Sequence, residues 1–376
     1  MSFFLYELLK RKNIEQKDSR FTDLQRKYAS SETLCSLSYE LDGLEANTIS
    51  QKAFNLLNEN GHLQEHKVIP ITTCQDGLKP YVLIPLDKAN KEVKVVFRGT
   101  TDLASLGRDL EVGSPGTVSF NQDKEIIFNQ FMKITREHYQ NNNDLHLTLA
   151  GHSLGASDAE NFATYFCQRF AQENSLSPFK DLNVYSLNSP GITDESALQS
   201  ILALSEIKKH DPNFMVNVYY GKTEHDPIQK LGQNHFLNNI DPALANITLI
   251  KLKKKFEFEH EESRCLSDLT ENVVSLSKQL IHYINRSIHA HELKSYFTPD
   301  KNGTLSNNTE HFKILSNQSP EQCSELNSEL RNKASSVLYI HQSLMNILNY
   351  IPLPSWRINK DSKDDICTQT SSMKLR

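Results

Sequence analysis

The 376-residue chain lacks the features that would place it in several large classes. No stretch approaches the roughly 18 consecutive apolar residues that a membrane-spanning helix needs. Near the N-terminus the apolar residues are few, and the basic cluster Lys10-Arg11-Lys12 follows them. A secretory signal has the reverse order and a longer apolar region, so this stretch reads as a short amphipathic helix. The six cysteines are scattered without a Cys-x-x-Cys pair. That argues against a zinc cage and a dense disulfide framework, and it fits a reducing compartment. A net charge of −5 over this length offers nothing to a polyanion, so no nucleic-acid partner is expected. With 38% apolar residues and a mean hydropathy of −0.52, the chain can fill a sizeable core beneath a long polar surface.

Strand and helix signals alternate through the middle of the chain. Tyr81–Pro85 and Val93–Phe97 are apolar runs separated by a polar turn, a hairpin pattern. The segment 103–123, with Gly107, Gly113, Pro115 and Gly116, reads as a loop. Lys124–Tyr139 has helical periodicity through Ile127, Phe128, Phe131 and Ile134. Strands are expected at Leu145–Leu149, Leu182–Leu187, Phe214–Tyr220 and Ile247–Leu252. Such alternation predicts a mainly parallel sheet covered on both faces. Residues 1–70 read as a helical extension, with a helix at Phe54–Asn60. The stretch from Val273 to Ile288 has the spacing of an amphipathic helix. The Asn/Ser-rich stretch 301–318 reads as a linker. Ser319-Pro320-Glu321-Gln322 carries a capping-box start, opening a helical segment over 319–356, and residues 357–376 read as a disordered tail.

The chemistry concentrates at Gly151-His152-Ser153-Leu154-Gly155. Leu145, Leu147 and Leu149 alternate before it, and Ala159, Phe162, Ala163, Phe166 and Phe170 recur at helical spacing after it. A Gly-x-Ser-x-Gly between a strand and a helix is the pattern of a nucleophile elbow. The serine sits on a sharp turn, and small neighbours let the chain pass close to itself. The bland alternative is a tight strand–helix turn that happens to carry a serine. A serine hydroxyl needs a histidine to take its proton and an acid to orient that histidine. Asp226 follows the strand ending at Tyr220, where site residues gather at the carboxyl edge of a parallel sheet. Glu224 is its local rival, and a solvated Asp-Pro turn is the ordinary alternative. His235, His260, His282, His289, His291, His311 and His341 all follow Asp226 in order. A zinc site at His282, His289 and His291 lacks recognised ligand spacing. Val95–Phe97 leading into Arg98-Gly99-Thr100-Thr101 supplies a small-residue turn suited to a second oxyanion donor.

These residues resemble the class 3 lipases, fungal triacylglycerol lipases and their bacterial relatives. Phe97-Arg98-Gly99-Thr100 and Gly151–Gly155 match the family's first two elements, and Asp109-Leu110 falls where the family has Asp-Leu. Tyr185–Gly191 is similar to its strand before the acid, and His225-Asp226-Pro227-Ile228 occupies the acid's place. His291–Tyr296 is similar to the ending of bacterial members. The resemblance implies an α/β-hydrolase fold over 71–300 with helical additions at both ends. It implies Ser153 as nucleophile, Asp226 as acid and His291 as base, with His289 the alternative base. Thr100 and Leu154 would form the oxyanion hole. It implies a carboxylic ester of a lipid as substrate, transient contact with a membrane surface, and no metal or cofactor. An inactive binding scaffold and a hydrolase for a non-lipid ester or thioester remain the other readings. The fungal lid tryptophan has no counterpart at Leu103–Arg108, and the family's disulfides and secretory signal are missing. The expected location is therefore cytoplasmic, compatible also with export of a bacterial effector by a signal-less route.

Overall fold

The apolar runs of the sequence become the strands of one sheet. In the computed structural model of the protein, the residues described are 23–41, 66–75, 77–101, 108, 114–139, 144–173, 178–224, 226, 228–230, 233–237, 240–254, 297–299, 305–307 and 309–330. All lie in the first of the chain's two units, Met1–Asn332; the second is Lys333–Arg376. The described elements are α1 (Asp23–Glu40), β1 (His66–Pro70), β2 (Pro80–Pro85), β3 (Glu92–Phe97), α2 (Thr117–Tyr139), β4 (Leu145–His152), α3 (Leu154–Glu173), β5 (Phe179–Leu187), α4 (Asp194–His210), β6 (Met215–Thr223) and β7 (Asn246–Lys254). They continue with β8 (Phe297–Pro299), β9 (Leu305–Asn307), β10 (Thr309–Ser316) and α5 (Pro320–Leu330).

The main sheet has eight strands in the order β1-β2-β3-β4-β5-β6-β7-β10. From β3 to β7 every pairing is parallel, while β1–β2, β2–β3 and β7–β10 are antiparallel. Parallel strands need crossovers, and from β3 to β6 these are the helices α2, α3 and α4, which cover the sheet. This is the mainly parallel, helix-covered sheet that the alternation predicted.

Each face has its own apolar layer. On one, Phe162, Phe166 and Phe170 of α3 meet Phe128 and Phe131 of α2 and Phe179 of β5, with Phe131 and Phe179 stacked at 5.7 Å between ring centres. Each such buried ring contributes about 1.5–3 kcal/mol through apolar area removed from water. On the other face, Tyr28, Leu34, Leu37 and Leu41 pack on Leu83, Val96, Ala150 and Leu187. Helix α1 is therefore built into the fold, and β1, also within residues 1–70, is an edge strand of the sheet.

Two further expectations need correction. The stretch 301–318 is not a linker, because β10 lies in it and pairs with β7 from Thr309 to Ser316. Asn317 explains the attachment: its Oδ1 accepts the Ile247 amide at 3.0 Å and its Nδ2 donates to the Ala245 carbonyl at 2.8 Å. The segment 103–123 is not loop throughout, since α2 starts at Thr117 and buries Phe120 and Asp123. The Asp123 carboxylate accepts the Gln75 amide at 2.8 Å, a long-range contact that ties the second turn of this helix to the segment before β2. At α5 the expected cap is present, with the Gln322 amide donating to Ser319 Oγ at 3.2 Å. The predicted helices at Phe54–Asn60 and Val273–Ile288, and the tail 357–376, lie outside the described residues.

Candidate active site

Ser153 occupies the single residue between β4 and α3, with φ of 58°. A non-glycine residue in this left-handed region costs on the order of 1–3 kcal/mol, so its surroundings must hold it there. The Ser153 amide donates to the Leu187 carbonyl on β5 at 2.9 Å, and its carbonyl accepts the Ala156 amide at 2.9 Å. The flanking glycines are steric requirements. A Cβ on Gly151 would lie 2.0 Å from the Gly155 carbonyl oxygen, and one on Gly155 would lie 2.2 Å from the Phe97 carbonyl oxygen.

That second contact brings the exit of β3 against the elbow. Arg98, wholly buried, donates its amide to the Lys79 carbonyl at 3.1 Å, and half-buried Thr100 follows two residues later. Leu154 is buried and opens α3, where backbone amides have no intrahelical acceptor. The two elements expected to supply oxyanion donors thus meet beside Ser153.

Asp226 follows β6, two strands from β4, at the same carboxyl edge. It is buried, whereas the rival Glu224 is half-buried. Its Oδ1 accepts the Ile228 amide at 2.9 Å and its Oδ2 accepts Gln229 Nε2 at 3.2 Å. Gln229 Nε2 also donates to Asn188 Oδ1 at 3.1 Å, and that oxygen takes the Thr223 amide and hydroxyl at 3.1 Å each. Asn188 directly follows Leu187, the acceptor for Ser153. One short polar path therefore connects the serine's backbone to the carboxylate. His289 and His291 lie outside the described residues, as does His225. His235 is a core residue: its Nδ1 lies 3.2 Å from Glu160 Oε1, with both side chains fully buried.

Several buried or half-buried polar groups around the site gave no signal in the sequence, because each pairs residues far apart in the chain. Glu160 on α3 accepts the Ser186 hydroxyl at 2.6 Å and the Phe236 amide at 2.8 Å. Burial pushes its carboxyl up, but His235 and these donors outweigh that and hold it below the usual carboxylate range. Arg108, in the segment after the Arg98–Thr100 turn, forks onto Asp158 of α3 at 3.1 and 2.5 Å. It also reaches the Gly77 carbonyl at 3.2 Å and the Gly116 carbonyl at 3.4 Å. On β6, Lys222 Nζ donates to the Glu329 carbonyl of α5 at 3.1 Å, while neighbouring Lys251 pairs with the Glu329 carboxylate at 2.7 Å. Burial pulls the Lys222 ammonium down to about 8, against the pull of Glu160, Glu329 and Asp226. Among the described residues no group of three or more His, Cys, Asp or Glu could hold a metal ion, and no helix is long and apolar enough to cross a membrane.

The stretch that holds the strained serine, its glycines and the adjoining turn is similar to known proteins. Residues 94–228 match the family model for lipase (class 3). The lipase-matched segment begins within β3 and ends just past Asp226, so it contains Thr100, Ser153, Leu154 and Asp226. It leaves out α1, β1, β2, β7, β10 and both base candidates. A triacylglycerol lipase from Penicillium expansum is similar in structure, with TM-score 0.37 and 13% identity over 59% of this chain and 77% of that one. The triacylglyceride lipase of Rhizomucor miehei gives TM-score 0.41 and 15% identity over 62% and 81%. Comparison with curated proteins gives no match.

Proposed function

We propose that the protein is a serine hydrolase of carboxylic esters, acting on a glycerolipid or phospholipid. Ser153 Oγ attacks the acyl carbonyl carbon as the base, His291 or else His289, takes its proton. Asp226 orients that imidazole and offsets its charge. The Thr100 and Leu154 amides receive the oxygen that becomes negative. The base then returns the proton to the departing alcohol, leaving an acyl-Ser153 ester. Water, activated by the same histidine, releases the acid. The observation that carries this reading is the left-handed Ser153 between two glycines that tolerate no Cβ. The class 3 lipase match over the same residues supports lipid esters ahead of other acyl compounds.

Labelling by a fluorophosphonate probe tests the nucleophile. Wild type is expected to label and Ser153→Ala not to; equal labelling overturns Ser153 as the nucleophile, and none in wild type returns the protein to a binding scaffold. Comparing His291→Ala with His289→Ala on a short-chain ester assigns the base. A panel of triacylglycerol, phospholipid and thioester substrates then sorts the substrate class.

A further inference from the structure

Helix α1 lies more than fifty residues before the matched segment, yet its last turn reaches the site. The Tyr39 hydroxyl is hydrogen-bonded to Nδ1 of His152, the residue before Ser153, at 2.9 Å, and the two rings meet edge to face at 6.1 Å between centres. The same hydroxyl lies against the oxyanion turn. A Cβ on Gly99 would fall 2.1 Å from the Tyr39 oxygen and 2.6 Å from the His152 carbonyl oxygen. Gly99 is thus held between a side chain of α1 and the backbone of the elbow. The helix itself is firmly anchored, because Tyr28, Leu34 and Leu37 are buried on the sheet and Tyr28 packs on Gly221 of β6.

We propose that Tyr39 is a positioning residue of the hydrolytic site. Its hydroxyl, tied to His152 and laid over Gly99, fixes the gap between the Arg98–Thr100 turn and the Ser153 elbow. The amides of Thr100 and Leu154 come from these two separate chain segments. Both can donate to one oxygen only if the segments keep a set spacing, since a donor aimed at developing charge works through its fixed placement. The inference rests on the hydrolase reading above, and it extends the site to a helix that the family match leaves out.

The test compares full-length wild type, Tyr39→Phe and Ser153→Ala for kcat and KM on p-nitrophenyl butyrate. Rates are normalised by active-site titration, and thermal midpoints are taken in parallel. Tyr39→Phe keeps the ring and its packing and removes the oxygen. The expected result is a kcat about 10-fold lower, with KM within about two-fold and the thermal midpoint close to wild type, since the interaction lost acts in the transition state. An unchanged kcat overturns the proposal. So does a loss of rate that titration accounts for as unfolded protein, because the role would then be structural. Wild type without Ser153-dependent turnover is a separate outcome that removes the hydrolase reading and this one with it.

Discussion

Replacing Arg108 by methionine should expose how much of the fold depends on one buried ion pair. Arg108 is 4% exposed and Asp158 is fully buried. The substitution removes both prongs of the fork and the two carbonyl contacts at Gly77 and Gly116, while Asp158 stays in place. Breaking one side of a buried pair costs about 3–5 kcal/mol, because the remaining charge has lost its compensation. For a domain of this size each kcal/mol corresponds to about 2–4 °C, so the midpoint should fall by roughly 6–20 °C. Urea unfolding followed by circular dichroism measures the free energy directly. The double variant Arg108→Met/Asp158→Leu removes the stranded carboxylate and should regain about 2 kcal/mol over the single one. A loss below about 1 kcal/mol in Arg108→Met, or a double variant no better than the single, would refute the reasoning, since both outcomes are incompatible with a desolvated charge as the source of the cost.

Other perturbations address the site and its supports. Gly151→Ala places a methyl group against the Gly155 carbonyl, so the elbow must shift, and a loss of kcat of at least about 100-fold is expected on a short-chain ester. Ser153→Gly should abolish turnover yet raise stability by about 1 kcal/mol in urea unfolding, because glycine accepts φ of 58° without strain. Lys222 gives a pH signature. Its folded-state value of about 8 lies below that of an unfolded lysine, so burying the ammonium costs stability at and below pH 8. That cost is relieved as pH rises from about 8 toward the unfolded lysine value of about 10.4, where the unfolded chain binds more protons. Wild type should show this relief in its unfolding free energy, and Lys222→Met should not.

What could be read from the sequence was local. The elbow declared itself because strand, glycine-flanked serine and amphipathic helix are adjacent in the chain, and the apolar run to Phe97 marked β3 for the same reason. The position of Asp226 just after a parallel strand could be read because it is a matter of neighbouring positions. The polar residues that lock distant segments could not be read this way. Asn317 looks like any linker asparagine until its amide is seen bonded across the start of β7. Thr117–Phe120 has no strong helix signal, and what holds this start includes a bond from Asn161, more than forty residues away, to the Thr117 hydroxyl. His235 was one of several histidines in the right order, and only the buried Glu160 shows that it serves the core. Tyr39 reaches His152 across more than a hundred positions, a distance over which no spacing rule operates.

The strand order also bears on which piece of this chain could stand alone. Excised by itself, the stretch 94–228 would keep β4 and β5 paired on both sides but leave the outer flanks of β3 and β6 open. Unpaired rows of backbone donors and acceptors on apolar strands invite edge-to-edge association with other copies. One sheet face would also lose the cover of Tyr28, Leu34 and Leu37. Such a fragment would be expected to aggregate, although it holds the serine and the aspartate. During synthesis, β7 stays open on one flank until β10 emerges at Thr309–Ser316. The sheet is completed on that side by one of the last described strands to leave the ribosome.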